Sequence, residues 1–197
     1  LLTHISKALA IHKIVQENSM LREAISSRYS FGNIIGKSKS MQEVYELILK
    51  AAQSDASVAV IGESGTGKEL VARAIHSLSA RRDGEFITVN CGAIPEALLE
   101  SEFFGHIKGA FTGAHTDKHG YLDLADAGTL FLDEVGELTP VLQVKLLRAI
   151  EGAGYTPVGS NVTKTSDFRV IAATNRNLMD TVRQGQMRED FFFRIHI

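Results

Sequence analysis

The stretch Gly62-Glu63-Ser64-Gly65-Thr66-Gly67-Lys68 constrains this chain more than any other. It has the spacing G-x-x-x-x-G-K and stands between an apolar run, Val58-Ala59-Val60-Ile61, and a segment with helical spacing. Glycines let successive backbone N–H groups turn toward a β-phosphate, the start of the following helix adds its positive dipole end, and Lys68 reaches the β- and γ-oxygens. The expected ligand is therefore a nucleoside triphosphate held by its phosphates. A glycine-rich turn with no ligand is the alternative, and the flanking strand and helix argue against it.

The rest of the chain repeats the strand-then-helix rhythm. Apolar runs of strand length occur at residues 57–61, 86–90, 129–132 and 168–173, each reading as a strand buried on both faces. Helices fit residues 68–79, 95–102 and 139–151, the last with Thr139 as cap and Pro140 in its first turn. Strands alternating with helices predict a parallel α/β sheet with helices on both faces. Ahead of the first strand, Ser40 and Glu43 have the spacing of a capping box, followed by Met41, Val44, Ile48 and Ala51 on one helix face. Two segments interrupt the rhythm, residues 103–119, which hold Phe103, Phe104 and Phe111, and residues 152–166. Loops that carry aromatics into solvent suggest contact with something else.

Residues 1–30 lack Gly and Pro and read as a helix, with Ile11, Ile14, Asn18, Leu21 and Ile25 spaced alternately by three and four. That spacing suits a coiled-coil seam in which Asn18 fixes register, or an amphipathic helix lying on its own domain. Ser30-Phe31-Gly32-Asn33 breaks the pattern as a hinge into the globular part, residues 31–197.

A net charge of −2 argues against a chain whose main task is gripping a nucleic-acid backbone. Cys91 is the only cysteine, which excludes an internal disulfide and a cysteine-cluster zinc site and fits a reducing, cytoplasmic setting. No apolar run approaches the roughly 20 residues needed to cross a bilayer, so no membrane partner is expected. His106, His115 and His119 match no familiar zinc spacing.

Leu130-Phe131-Leu132-Asp133-Glu134 is an apolar strand ending in two acids. At the C-terminal end of a buried strand beside the glycine-rich loop, Asp133 would bind Mg²⁺ and Glu134 would polarise an attacking water. Ala172-Ala173-Thr174-Asn175 is a second strand with a polar end, where Asn175 would contact the γ-phosphate or the water, or simply cap the next turn. Arg188 and Arg194 flank an aromatic run. They suit either surface ion pairs or charge stabilisation of a transferring phosphoryl group. Glu69 follows Lys68 where most such loops place a Ser or Thr that binds Mg²⁺, which leaves that side of the metal shell open.

Together these motifs resemble one family closely, the AAA+ ATPase domain of NtrC-type bacterial enhancer-binding proteins, which activate sigma-54 RNA polymerase. The signature is Gly109-Ala110-Phe111-Thr112-Gly113-Ala114, inside Phe104-Gly105-His106-Ile107-Lys108 and preceded by Asn90-Cys91. GESGTGKE around Lys68 and GTLFLDEV around Asp133 extend the resemblance from about residue 34 to the end. It implies a P-loop AAA+ core that hydrolyses ATP with Mg²⁺ in a homo-oligomer, a hexamer or heptamer ring that is a dimer when inactive. It also implies that the ring pushes on the sigma-54 holoenzyme to open the promoter. Phe111 and Thr112 resemble the loop tip that touches sigma-54, and Gly109 and Gly113 its hinges. Glu134 resembles the catalytic glutamate and Asn90 the residue that restrains it, while Arg188 and Arg194 match arginine fingers that reach a neighbour's ATP. Glu69 is what this family carries after the lysine.

Ile107 departs from the family, which usually has an acid there. Members continue with a helical lid and often a helix-turn-helix for enhancer DNA, neither of which is expected here, so the chain reads as a fragment. Residues 1–29 resemble the linker from an upstream regulatory domain of a two-component system. The competing function is a non-catalytic, ATP-gated scaffold. A small-molecule P-loop kinase is disfavoured, because no second-substrate pocket is legible and the Gly109–Ala114 motif would be unexplained.

Overall fold

The computed structural model describes residues 34–196, so the expected seam from Ile11 to Ile25 and the hinge at residues 30–33 lie outside the described residues. Two compact units are distinguished, Leu1–Tyr45 and Glu46–Ile197. Helix α1 (Lys39–Ala52) runs across the boundary between them and begins one residue before the expected cap. Ser38, not Ser40, caps it: its Oγ accepts from the N–H of Met41 at 3.3 Å, and its carbonyl accepts from Gln42. A serine already inside the first turn cannot offer its side chain to the helix's free N–H groups, and Ser38 stands where those groups point.

The second unit is built on four parallel strands, β1 (Val58–Ile61), β2 (Phe86–Asn90), β3 (Thr129–Asp133) and β4 (Arg169–Thr174), in the order β1-β4-β3-β2. The two central strands carry the core. Leu130, Phe131 and Leu132 on β3 and Val170, Ile171, Ala172 and Ala173 on β4 are all buried, as expected of a parallel sheet covered on both faces. β1 departs from that expectation. It is a sheet edge, half-buried along its length, and Ile61 is 57 % exposed.

Helices α2 (Lys68–Ser77), α3 (Glu96–Phe104) and α5 (Pro140–Ile150) fall where the periodicity put them, with shifted ends. Thr139 caps α5 through its Oγ1, and Pro140 occupies the first turn, where its missing N–H costs nothing. α3 runs two residues further than its pattern suggested, so Phe103 and Phe104 belong to the core and not to a solvent-facing loop. Phe103 stands edge-on to Tyr121, the first residue of the short helix α4 (Tyr121–Leu124). After β4 the chain forms α6 (Leu178–Arg183) and α7 (Glu189–Ile195). Phe191 and Ile195 are four apart, which places both on one helix face in the core.

One buried residue runs against its strand's apolar pattern. The Arg169 guanidinium is enclosed, donating to the carbonyls of Ala51 and Ala56 at 2.7 and 3.1 Å, and so satisfies carbonyls at and just beyond the C-terminal end of α1. Nearby, Arg81 bridges Asp55 and Asp167 and ties three connections together below the sheet.

Candidate nucleotide site and loop surface

At the end of β1 the chain turns at Gly62, whose N–H donates to the carbonyl of Thr174 at 3.1 Å. The loop is thereby joined to the end of β4. Gly65 and Gly67 have φ of 77° and 85°, the left-handed region that glycine enters without a Cβ clash. Gly67 begins α2 in that conformation. The N–H groups of Ser64, Gly65 and Gly67 donate to no acceptor among the described residues. Lys68 Nζ donates to the carbonyls of Gly62 and Glu63 at 3.0 and 2.9 Å, and Thr66 Oγ1 to Glu63 at 2.8 Å. The loop is thus a cradle of N–H groups with an ammonium folded across it, which suits a polyphosphate.

The sheet order brings the other expected residues to the same edge. Ile61 pairs with Thr174 and Asn90 with Asp133, so the C-terminal ends of all four strands form one row: Gly62, Thr174, Asp133, Asn90. Thr174 is buried, its Oγ1 accepting from the N–H of Arg176 at 3.0 Å, while Asn175 is exposed. Asp133 Oδ1 accepts from the N–H of Glu134 at 3.0 Å. Glu134 itself has φ 53°, a left-handed conformation that is unusual and strained for a residue with a Cβ. Its carboxylate lies over Gly92 so closely that any Cβ there would collide with Oε2. Asn90 Oδ1 accepts from Gly92 and Ala93, both at 2.9 Å, so its carbonyl is used by the turn. Gly92 was not visible as a site residue in the sequence, since nothing marks a single glycine as the seat of a remote carboxylate. Cys91 is buried, and burial together with the charges of Asp133 and Glu134 pushes its thiol up, which leaves it protonated and inert.

Glu69 pairs with Arg73 at 2.7 Å along α2, and the Arg73 guanidinium lies 4.7 Å from the centre of the Phe86 ring. The two candidate arginines sit on α7. Arg188, the residue capping that helix, forms a two-point pair with Asp190 at 2.7 and 3.0 Å, and Arg194 donates to the carbonyl of Ile150 at 3.1 Å. Neither bonds to the 62–68 loop of its own chain. A second unforeseen residue is Gln143, fully buried, which holds the N–H of Arg188 at 2.8 Å and donates to Leu138 and Gln186.

The Gly109–Ala114 segment is closed on itself. Gly109 N–H donates to Ala114 O at 2.8 Å, Ala114 N–H to Phe111 O at 3.0 Å, and Ala110 N–H to Ile107 O at 3.1 Å. Gly109 and Gly113 are left-handed, with open space where a Cβ would point. Phe111 is 41 % exposed and stands edge-on to His106 at 4.9 Å. Thr112 is exposed and Ala114 buried. Ile107, in place of the family's acid, is half-exposed, and its N–H donates to Val158 in the second excursion.

A parallel sheet with a phosphate cradle at the end of β1 and acids at the end of β3 defines a P-loop nucleotide-binding domain of the AAA+ type. Residues 34–197 match the family model described as the sigma-54 interaction domain, and the chain belongs to that family. It is 50 % identical over 185 residues to the nitrogen fixation protein AnfA of Azotobacter vinelandii, covering 94 % of this chain and 35 % of that one. It is 48 % identical over 193 residues to the regulatory protein AtoC of Escherichia coli K12, covering 98 % and 42 %. The structure of NtrX from Brucella abortus in complex with ATP superposes with a TM-score of 0.77 at 34 % identity, covering 95 % of this chain and 42 % of that one. The chain therefore spans well under half the length of these relatives. Among the described residues, no helix is long and apolar enough to cross a membrane.

Proposed function

We propose that this domain hydrolyses ATP and uses the Gly109–Ala114 loop to remodel the closed complex of sigma-54 RNA polymerase into the open one. The observation that carries the reading is the row at the C-terminal sheet edge, where the phosphate cradle, Thr174, the Asp133–Glu134 pair and Asn90 stand side by side. Lys68 exchanges its bonds to Gly62 and Glu63 for phosphate oxygens, and the N–H groups of Ser64, Gly65 and Gly67 hold the β-phosphate. Asp133, with one oxygen held by a backbone N–H and the other open, fits a Mg²⁺ ligand. The ion would shield the phosphate charges when bound. Glu134 orients a water and accepts its proton as the water oxygen bonds to the γ-phosphorus. The bond to the β,γ-bridging oxygen breaks, and ADP keeps that electron pair. Asn175 contacts the γ-phosphate or the water, and Asn90 restrains Glu134.

Arg188 and Arg194, which bond within their own chain to Asp190 and to the carbonyl of Ile150, act on a neighbour's nucleotide in a hexameric or heptameric ring, a role that the family resemblance supports. For Arg188 this requires releasing Asp190. Enhancer DNA binding would belong to a further C-terminal domain, and residues 1–30 would connect to a regulatory one.

The test is Thr112→Ala in the full-length protein. ATP turnover should persist while open-complex formation, followed by reactivity of melted promoter bases, is lost. A variant that still opens promoters would remove this loop from the mechanism.

A further inference from the structure

We propose that Asp123 is a positioning residue for the Gly109–Ala114 loop, acting as a clamp on the second excursion, which in turn carries the base of that loop. The proposal rests on the proposed function for what the loop does, but the clamp is physical and can be tested without polymerase.

The second excursion is an arm closed at its root by a backbone pair. Tyr155 N–H donates to Lys164 O at 2.9 Å, and Lys164 N–H to Tyr155 O at 2.8 Å. Both side chains then converge on one carboxylate. Lys164 Nζ lies 2.8 Å from Asp123 Oδ1, and Tyr155 is buried beside the same carboxylate, burial and then that neighbour pushing its hydroxyl up. The other oxygen, Oδ2, accepts from the N–H of Gly120 at 2.9 Å, where the first excursion re-enters the core at α4. The Asp123 side chain is only 15 % exposed, so this is not an open surface pair screened by water. His119 approaches the same carboxylate at 3.7 Å from the exposed side.

The far part of the arm meets the loop. Val158 N–H donates to Gly105 O at 2.9 Å, and Ile107 N–H to Val158 O at 3.1 Å, which joins the arm to the strand-like approach of the first excursion. Gly159 lies under Ala110 so closely that a Cβ there would come within 2.6 Å of the Ala110 Cβ. The two ends of the first excursion, Gly105 and Gly120, are back to back, with no room for a side chain at either. One carboxylate therefore fixes the root of an arm whose other end bears on the first residues of the loop. Without Lys164 or Asp123 the arm keeps its backbone pair but loses its charged anchor, and the loop loses a fixed surface to rest on.

The experiment uses the full-length protein with Lys164→Met, Asp123→Asn, the double variant and Lys164→Arg. Hydrogen exchange of the Ile107 and Val158 amides should quicken about tenfold in each single variant, equivalent to about 1.4 kcal/mol of local opening. The double variant should be no faster than either single one, because both remove the same interaction. Lys164→Arg should restore the slow rate. Amides of β3 and β4 should be unchanged, as should ATP turnover, while open-complex formation falls. Unchanged exchange at Ile107 and Val158, additive effects in the double variant, or equal quickening in β3 and β4 would overturn the clamp. Quickened loop amides with undiminished open-complex formation would uphold the clamp and overturn the loop's assignment to sigma-54.

Discussion

Replacing Glu134 with glycine should make the domain more stable and abolish its turnover. Glu134 has φ 53° and ψ 43°, and an L-residue in that region carries about 1–2 kcal/mol of strain that glycine does not. Its side chain is exposed, so little burial is lost with it. Against the relief stands the greater freedom of glycine in the unfolded chain, about 0.4–1 kcal/mol. Glu134→Ala is the proper comparison, since it removes the same charge from beside Asp133 and keeps the strain. The glycine variant should exceed the alanine variant by roughly 0.5–1 kcal/mol, a gain of a few degrees at most in midpoint for a domain of this size. The sign is the informative part, because at regular positions glycine is the less stable of the two by about that amount. Urea unfolding with unchanged m-values measures it. A glycine variant no more stable than the alanine variant would refute the idea that strain is held at this acid. Ala127, with φ 58° and no place in the site, is the control: Ala127→Gly should gain similar stability and leave turnover intact.

Arg194→Ala should leave ATP affinity within about threefold and lower turnover by roughly 10³ or more in the assembled protein, as loss of a charge supplied in trans does. Unchanged turnover would remove Arg194 from that role. His76 is buried between α2 and the sheet, with Nδ1 2.9 Å from Thr129 Oγ1, and burial above all holds its pKa below the ordinary 6.5. Arg73 and Arg169 act in the same direction, and Glu85 and the Gly84 backbone oppose them. As pH falls through 6.5 the unfolded chain takes up a proton that the folded chain refuses, so stability should decline by at most about 1.4 kcal/mol per pH unit. His76→Asn should flatten the slope of unfolding free energy between about pH 7.5 and about pH 5.5, and an identical slope would exclude His76 as its source.

The sheet was legible because each central strand is an apolar run bounded by turn residues, and the cradle because glycines and a lysine at fixed spacing have few other uses. Strand order was not legible. Nothing local to Val58–Ile61 says that it pairs with β4 and remains an edge, yet that order is what aligns Asp133 with Asn90 and Gly62 with Thr174. Phe103 and Phe104 read as loop because a glycine and a histidine follow them, while the two rings end a helix inside the core. Residues that act through a remote partner left no sequence signal. Gly92 matters for the carboxylate above it, Gln143 for the backbone of Arg188, and Asp123 for a lysine about forty positions away. The reach of Arg188 and Arg194 to another copy rests on the family resemblance, since each finds a partner within its own chain.

The most direct test of the central claim is ATP turnover by the assembled full-length protein, wild type against Glu134→Gln, with nucleotide binding measured alongside. The variant should bind ATP as wild type does and turn it over at least about 100-fold more slowly, the least that loss of a general base is expected to remove. Equal and negligible rates in both proteins would contradict the claim and favour a scaffold that only binds ATP.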